Sequence, residues 1–140
     1  MASKPVFADT SFFFALVAKR DPAHRSAISV YTKLLNARCS VVTTDYIIDE
    51  TLTLTKARIN ASTALALLER IENSEAITVE DIPPQRFVTA KGFFRKHADH
   101  GYSFTDCTSF VLMRELKMNA ALTTDRHFVE AGFEALLPVV

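Results

Sequence analysis

The chain has 140 residues, enough for one domain with a full core and too short for two ordinary ones. Hydrophobic residues make up 49%, with 11 Phe against 3 Gly, which excludes a disordered or low-complexity chain. Lys and Arg together number 16, as do Asp and Glu, so no global basic field exists and any nucleic-acid contact has to use local patches.

Residues 5–8, PVFA, read as a short buried strand ending at Asp9. Thr10 and Ser11 then open a helix, FFFALVAKR, stopped before Asp21-Pro22. Asp21 with Pro22 is a good N-cap and first-turn pair for a second helix. Its apolar stripe is Ala27, Ile28, Tyr31, Leu34 and Leu35, and it ends near Ala37. Residues 40–43, SVVT, are a second strand. Thr44 and Asp45 can cap a third helix, YIIDETLTLTKARI, with Ile47, Ile48, Thr51, Leu52 and Leu54 facing inward. A fourth helix covers 60–72, with Ala64, Leu65, Leu68 and Ile71 on one stripe, and AITV at 76–79 is a third strand.

Pro83-Pro84 opens a fifth helix that sets Phe87, Ala90, Phe94 and His97 on one side. Gly101 breaks the chain, and Ser103 caps a sixth helix, with Asp106 in its first turn in a Ser-x-x-Asp variant of the capping box. NAALT at 119–123 is a fourth strand, with Thr124-Asp125 at its carboxyl end. HFVEAGF is a short helix, and EALLPV adds a small last strand. Alternating short apolar strands and helices give an α/β fold: a three-layer α/β/α sandwich around a central, mostly parallel sheet of four or five strands, in one domain over 1–140.

The N-terminal Lys4 and the FFFALVA run have the flavour of a signal peptide, but Asp9 interrupts the run and no A-x-A site closes it. No run approaches the roughly eighteen apolar residues of a membrane span. Cys39 and Cys107 form no CxxC pair and are expected as buried thiols in a reducing cytosol, so a cytoplasmic location with no membrane contact is expected.

In parallel sheets ligands bind beyond the carboxyl ends of the strands. Asp9 and Asp125 fall at such ends, Asp106 starts the helix leading to the last main strand, and Glu50 lies on the third helix. Singly, each acid is an ordinary cap or a solvated helix residue. Together, four acids near one edge repel each other and raise each other's pKa, which a bound cation relieves. All-oxygen ligands select a hard ion, Mg²⁺ or Mn²⁺, and such an ion suggests hydrolysis of a phosphodiester. The four histidines, His24, His97, His100 and His127, look scattered, and no His or Cys cluster has zinc spacing. No G-x-S-x-G, Walker A or G-x-G-x-x-G motif is present.

FADTSFFFAL, DYIIDETLTL, SFTDCTSFVL and ALTTDRHF, in that order, resemble the acidic motifs of the PIN domain family across nearly the whole chain. The length and Asp21-x-x-His24 resemble most the VapC-type toxin ribonucleases. The resemblance implies a Mg²⁺- or Mn²⁺-dependent endoribonuclease with Asp9, Glu50, Asp106 and Asp125 as its catalytic and metal-binding acids. Asp9 and Asp106 would hold one ion directly, with Glu50 and Asp125 completing the nest or holding a second. Asp49, beside Glu50, ranks lower, and Asp99 is an outer candidate. Ser103 is the serine of the S-x-x-D motif, and Thr10, Ser11 and Thr123 are supporting hydroxyls. Lys56, Arg58, Lys91, Arg95, Lys96 and Arg126 are candidates for the substrate backbone. The resemblance also implies an RNA substrate (a tRNA or rRNA loop), an antitoxin partner and a homodimer. Two readings compete with a nuclease. One is a PIN-like binding module whose acids serve only as caps. The other is a receiver-like regulatory module using Asp45, for which no strand-end Lys is found.

Overall fold

The computed structural model describes residues 4–140. Five strands, β1 (Val6–Ala8), β2 (Val41–Thr44), β3 (Ile77–Glu80), β4 (Ala120–Leu122) and β5 (Glu134–Ala135), form one sheet in the order β3-β2-β1-β4-β5. Every neighbouring pair is parallel, with Phe7 opposite both Val42 and Ala121. The chain steps from β1 to β2 to β3 in one direction, then returns past β1 to β4 and β5. Right-handed crossovers therefore place the helices of the two halves on opposite faces of the sheet. On one face lie α1 (Thr10–Val17), α2 (His24–Asn36), α3 (Asp45–Arg58) and α4 (Ala61–Glu72); on the other lie α5 (Pro84–Lys96), α6 (Phe104–Glu115) and α7 (Arg126–Glu130). The expected α/β/α sandwich is observed, with a five-stranded sheet.

Phe7, Phe12, Phe13, Phe110 and Phe128 are fully buried. Phe110 meets Phe128 edge-on at 4.9 Å between ring centroids, and Phe12 meets Tyr31 edge-on at 5.4 Å, the geometry that ring quadrupoles favour. Thr43 donates its hydroxyl to the carbonyl of Ala8 at 2.8 Å, tying the carboxyl ends of β1 and β2. Helix starts follow local chemistry: Thr44 accepts from Ile47 N at 3.0 Å and Asn60 from Thr63 N at 2.7 Å. Cys39 and Cys107 are both free and buried, as expected. Among the described residues no helix is long and apolar enough to cross a membrane.

Several expectations are corrected. Asp21 does not cap α2. Its carboxylate accepts from Ala23 N at 2.9 Å in a turn, and the helix begins at His24, with Ala23 at the cap position. The stripe on α2 is narrower than its sequence suggests, because Ile28 and Leu35 are exposed and only Ala27 and Tyr31 are buried. On α4 the buried face is Ala64, Leu67 and Ile71, while Leu65 is 66% exposed. On α5 only Ala90 is buried; Phe93 packs on the core and Phe94 points outward. β3 is an edge strand, so one side of it faces solvent and Val79 is 42% exposed. Periodicity finds the apolar residues of each helix, but the angle at which a helix docks decides which of them are covered.

The α4 rotation is measurable. Leu67→Ala is expected to destabilise the chain by about 2–5 kcal/mol in urea unfolding, and Leu65→Ala by less than about 0.5 kcal/mol. Equal losses would contradict the observed face.

Candidate metal-binding acidic site

β1 and β4 are neighbours at the point where strand order reverses, and their carboxyl ends open the crevice that parallel sheets use for ligands. Asp9 follows β1. It occupies the cap position of α1 but makes no side-chain cap bond. Instead its Oδ2 accepts from Ser11 Oγ and from Thr123 Oγ1, each at 2.9 Å. Ser11 in turn accepts from Thr124 N at 3.0 Å, and Thr123 from Asp125 N at 3.0 Å. These two hydroxyls lock the segment after β4 onto the segment after β1. The other first-turn hydroxyl, Thr10 Oγ1, is buried without a partner among the described residues.

Asp106 enters from the other face of the sheet. Ser103 Oγ accepts from Asp106 N at 2.9 Å, and Ser103 N donates to Asp106 Oδ2 at 3.0 Å, a reciprocal capping box. Asp125 caps α7, accepting from His127 N at 2.9 Å. The His127 ring stands between these two acids, with Nδ1 3.3 Å from Asp106 Oδ2 and 3.3 Å from Asp125 Oδ1. Potential ligand atoms of Asp106, Asp125 and His127 all lie within 4.8 Å of one another. A Cβ at position 101 would lie 3.1 Å from His127 Nε2, so the break at Gly101 also leaves the imidazole its space.

Electrostatics set these acids apart. Burial pushes Asp9 up to about 7, opposed by the hydrogen bonds from Ser11 and Thr123 and reinforced by the charges of Asp106 and Asp125. Asp106 is also raised, chiefly by burial and further by Asp125, with the Ser103 amide and His127 acting against it. Carboxylates pressed toward neutrality by burial, and further by each other's charge, lack a positive charge, and a hard divalent cation fits that deficit and these oxygen donors. Burial, with the charge of Asp106 added, pushes the neighbouring Cys107 thiol up to about 11, so it stays protonated and is no nucleophile.

The structure thus brings together Asp9, Asp106 and Asp125 with Ser11, Ser103 and Thr123. Glu50 and Asp49 are exposed on α3, and neither forms a hydrogen bond or ion pair among the described residues. Asp99 is likewise exposed in the α5–α6 connection. Asp45 is tied to the β3–α5 connection, its Oδ1 accepting from Ile82 N at 3.2 Å. The view of the histidines as scattered fails for His127, whose position two residues after Asp125 in TTDRH was the available signal.

The cations divide as well. Lys56 and Arg58 sit in the last turn of α3, roughly 15–20 Å along the helix from the end that meets the sheet edge. Arg58 lies over the Phe14 ring at 6.0 Å and, with Lys19 and Arg20, borders a separate groove of about 510 Å³. Arg126 is exposed directly after Asp125, Lys91 and Arg95 are exposed one turn apart on α5, and Lys96 is exposed beside Arg95.

Residues 6–134 match the PIN domain family model. The 23S rRNA-specific endonuclease VapC20 of Mycobacterium tuberculosis is 31% identical over 133 residues, covering 95% of this chain and 98% of that protein. The crystal structure of VapC20, described as a Sarcin-Ricin loop cleaving toxin, superposes with a TM-score of 0.83 at 30% identity, covering 95% of this chain and 99% of the other. VapBC2 from Rickettsia felis, bound to a DNA fragment from its promoter, gives a TM-score of 0.65 at 8% identity, covering 93% of this chain and 96% of that one. FitAcB from Neisseria gonorrhoeae gives 0.60 at 16% identity, covering 93% and 95%. At those two identities the likeness is one of fold.

A raised carboxyl pKa has a definite consequence for stability. The folded state binds the Asp9 proton more tightly than the unfolded state, so this group favours folding below about pH 4 and loses that contribution as pH rises toward about 7. At most about 4 kcal/mol is involved. In metal-free buffer, the melting-temperature advantage of Asp9→Asn over wild type is expected to grow from about pH 5 to about pH 8. A constant difference would show that Asp9 titrates normally.

Proposed function

The chain belongs to the PIN domain family, and from that membership and its acidic edge we propose that it is a metal-dependent endoribonuclease, the toxin of a toxin–antitoxin pair, acting on a loop of ribosomal RNA. The observation that carries this reading is the convergence of Asp9, Asp106 and Asp125 at the switch in strand order, with Asp9 and Asp106 held buried against their own charge. The site fits Mg²⁺, with Mn²⁺ as a substitute, as one or two ions held by Asp9, Asp106 and Asp125. His127 is a further donor at the edge, and Glu50, exposed on α3 and free of protein partners among the described residues, is the fourth carboxylate offered to the ion. When bound, the ion supplies the positive charge that acidifies a water and offsets charge growing on the phosphate.

The chain's own groups do the rest. Ser11 and Thr123 fix Asp9 through Oδ2, and Ser103 fixes Asp106 through its backbone amide. The N-termini of α1 and α6 begin at Asp9 and Ser103, so both present their positive ends to an anionic substrate. Asp125 is the more exposed acid, and its Oδ1 is taken by the first turn of α7, leaving Oδ2 to orient the attacking water and accept its proton. The water oxygen bonds to phosphorus as the bond to the 3′-oxygen breaks, and that oxygen leaves with a proton from solvent. The products carry 5′-phosphate and 3′-hydroxyl ends. Zero net charge suits selection of one RNA structure over general degradation. An antitoxin covering the acidic edge, a homodimer and a cytoplasmic location complete the proposal.

A second reading has its own observation: Asp106 and Asp125 both make complete helix caps, which a binding module would need without any metal. Purified chain incubated with total cellular RNA and Mg²⁺ or Mn²⁺ separates the two. Discrete fragments lost with EDTA and with Asp106→Asn are expected, whereas no cleavage and no Mn²⁺ binding would establish the cap-only module. Fragments ending in 2′,3′-cyclic phosphate would overturn the water mechanism. Thr123→Val is expected to lower metal affinity or cleavage rate roughly 10- to 100-fold while the chain stays folded, because it removes a hydrogen bond that orients Asp9.

A further inference from the structure

Beside the acidic edge the surface changes character. Phe87, Phe94 and Phe104, with Lys91 and Arg95, line an open groove of about 440 Å³. The Phe104 ring lies 5.2 Å from Phe87 and 5.8 Å from Phe94 between centroids. Tyr46 joins the cluster at 6.4 Å from Phe104 and 6.3 Å from Phe87. Phe94 is 43% exposed, although Phe93 beside it is packed on the core. Lys91 Nζ stands 5.3 Å from the Phe87 centroid, and neither Lys91 nor Arg95 forms an ion pair among the described residues.

This groove borders the start of the helix that carries Asp106. Phe104 is the first residue of α6, and Asp106 lies in the same turn. Tyr46 lies in the first turn of α3, one turn ahead of Glu50. A strand whose phosphodiester reaches Asp106 has its neighbouring nucleotides within reach of the start of α6. Rings interleaved with unpaired cations suit unpaired bases on a charged backbone, since every base has a face to stack and every phosphate a charge to meet. Duplex RNA keeps its bases stacked on each other and offers none to the rings.

Resting on the nuclease reading above, we propose that the groove between α5 and the start of α6 is a stacking platform for unpaired RNA bases next to the cleaved bond, with Phe94 as its exposed ring and Lys91 and Arg95 on the flanking phosphates. The platform selects a loop over a duplex and sets which phosphodiester reaches the acids.

The test uses the full chain with Mg²⁺ in an Asp9→Asn background that halts turnover. The probes are an RNA hairpin carrying 2-aminopurine in its loop and an uninterrupted duplex of the same length. Loop fluorescence is expected to quench on binding. Adding Phe94→Ala is expected to weaken hairpin binding roughly 5- to 150-fold and remove the quench, from the usual worth of one stacked base. Phe94→Trp is expected to keep both, and duplex binding is expected to be indifferent to either change. Unchanged hairpin affinity in Phe94→Ala overturns the platform. Cross-linking of a photoreactive group at position 94 to a second copy in the RNA-free chain also overturns it, by making this face a dimer contact. If wild type cleaves RNA while Phe94→Ala binds the hairpin normally, only the platform falls. If wild type neither cleaves nor binds RNA, the nuclease reading falls with it.

Discussion

Like charges held together at the carboxyl edge of a parallel sheet are the constraint on which this molecule turns. Asp9 is buried at the end of a central strand, where a carboxylate loses most of its hydration, and Asp106 and Asp125 add their own charge to that loss. The surrounding structure opposes the repulsion without removing it. Two hydroxyls donate to Asp9, a backbone amide donates to Asp106, and an imidazole stands between Asp106 and Asp125. None of these brings a permanent positive charge, and a divalent cation is what the arrangement lacks.

The architecture explains how acids so far apart in sequence meet. The chain leaves β1 in one direction and returns past it to β4, so the loops after those two strands diverge from a shared crevice. The Ser11 and Thr123 hydroxyls fasten the two loops together through Asp9. Helix α6 reaches the same edge from the opposite face, and its capping box both starts the helix and aims Asp106. One motif thus serves structure and chemistry together, and for that reason the capping pattern by itself says nothing about function. The groove of exposed rings follows from the same placement, since α5 precedes α6 and brings Phe87 and Phe94 alongside Phe104.

The sequence by itself determined the class of fold, the strand and helix order, the caps at Thr44 and Ser103, and which acids stand at strand and helix ends. These are local matters of period, β-branching and short-range hydrogen bonds. The four acidic motifs in order also sufficed to place the chain in its family. Only the tertiary structure decided how each helix is turned about its axis: Leu67 is buried while Leu65, on the expected stripe, is exposed, and Phe94 faces solvent while Ala90, placed on the same side, is buried. An apolar face several residues wide leaves that rotation to the partner it packs on. Tertiary structure also brought His127 between two carboxylates, left Glu50 exposed on α3, and put Lys56 and Arg58 at the far end of that helix. Those are distances between segments remote in the chain, set by strand order and helix docking, and no spacing within one motif encodes them.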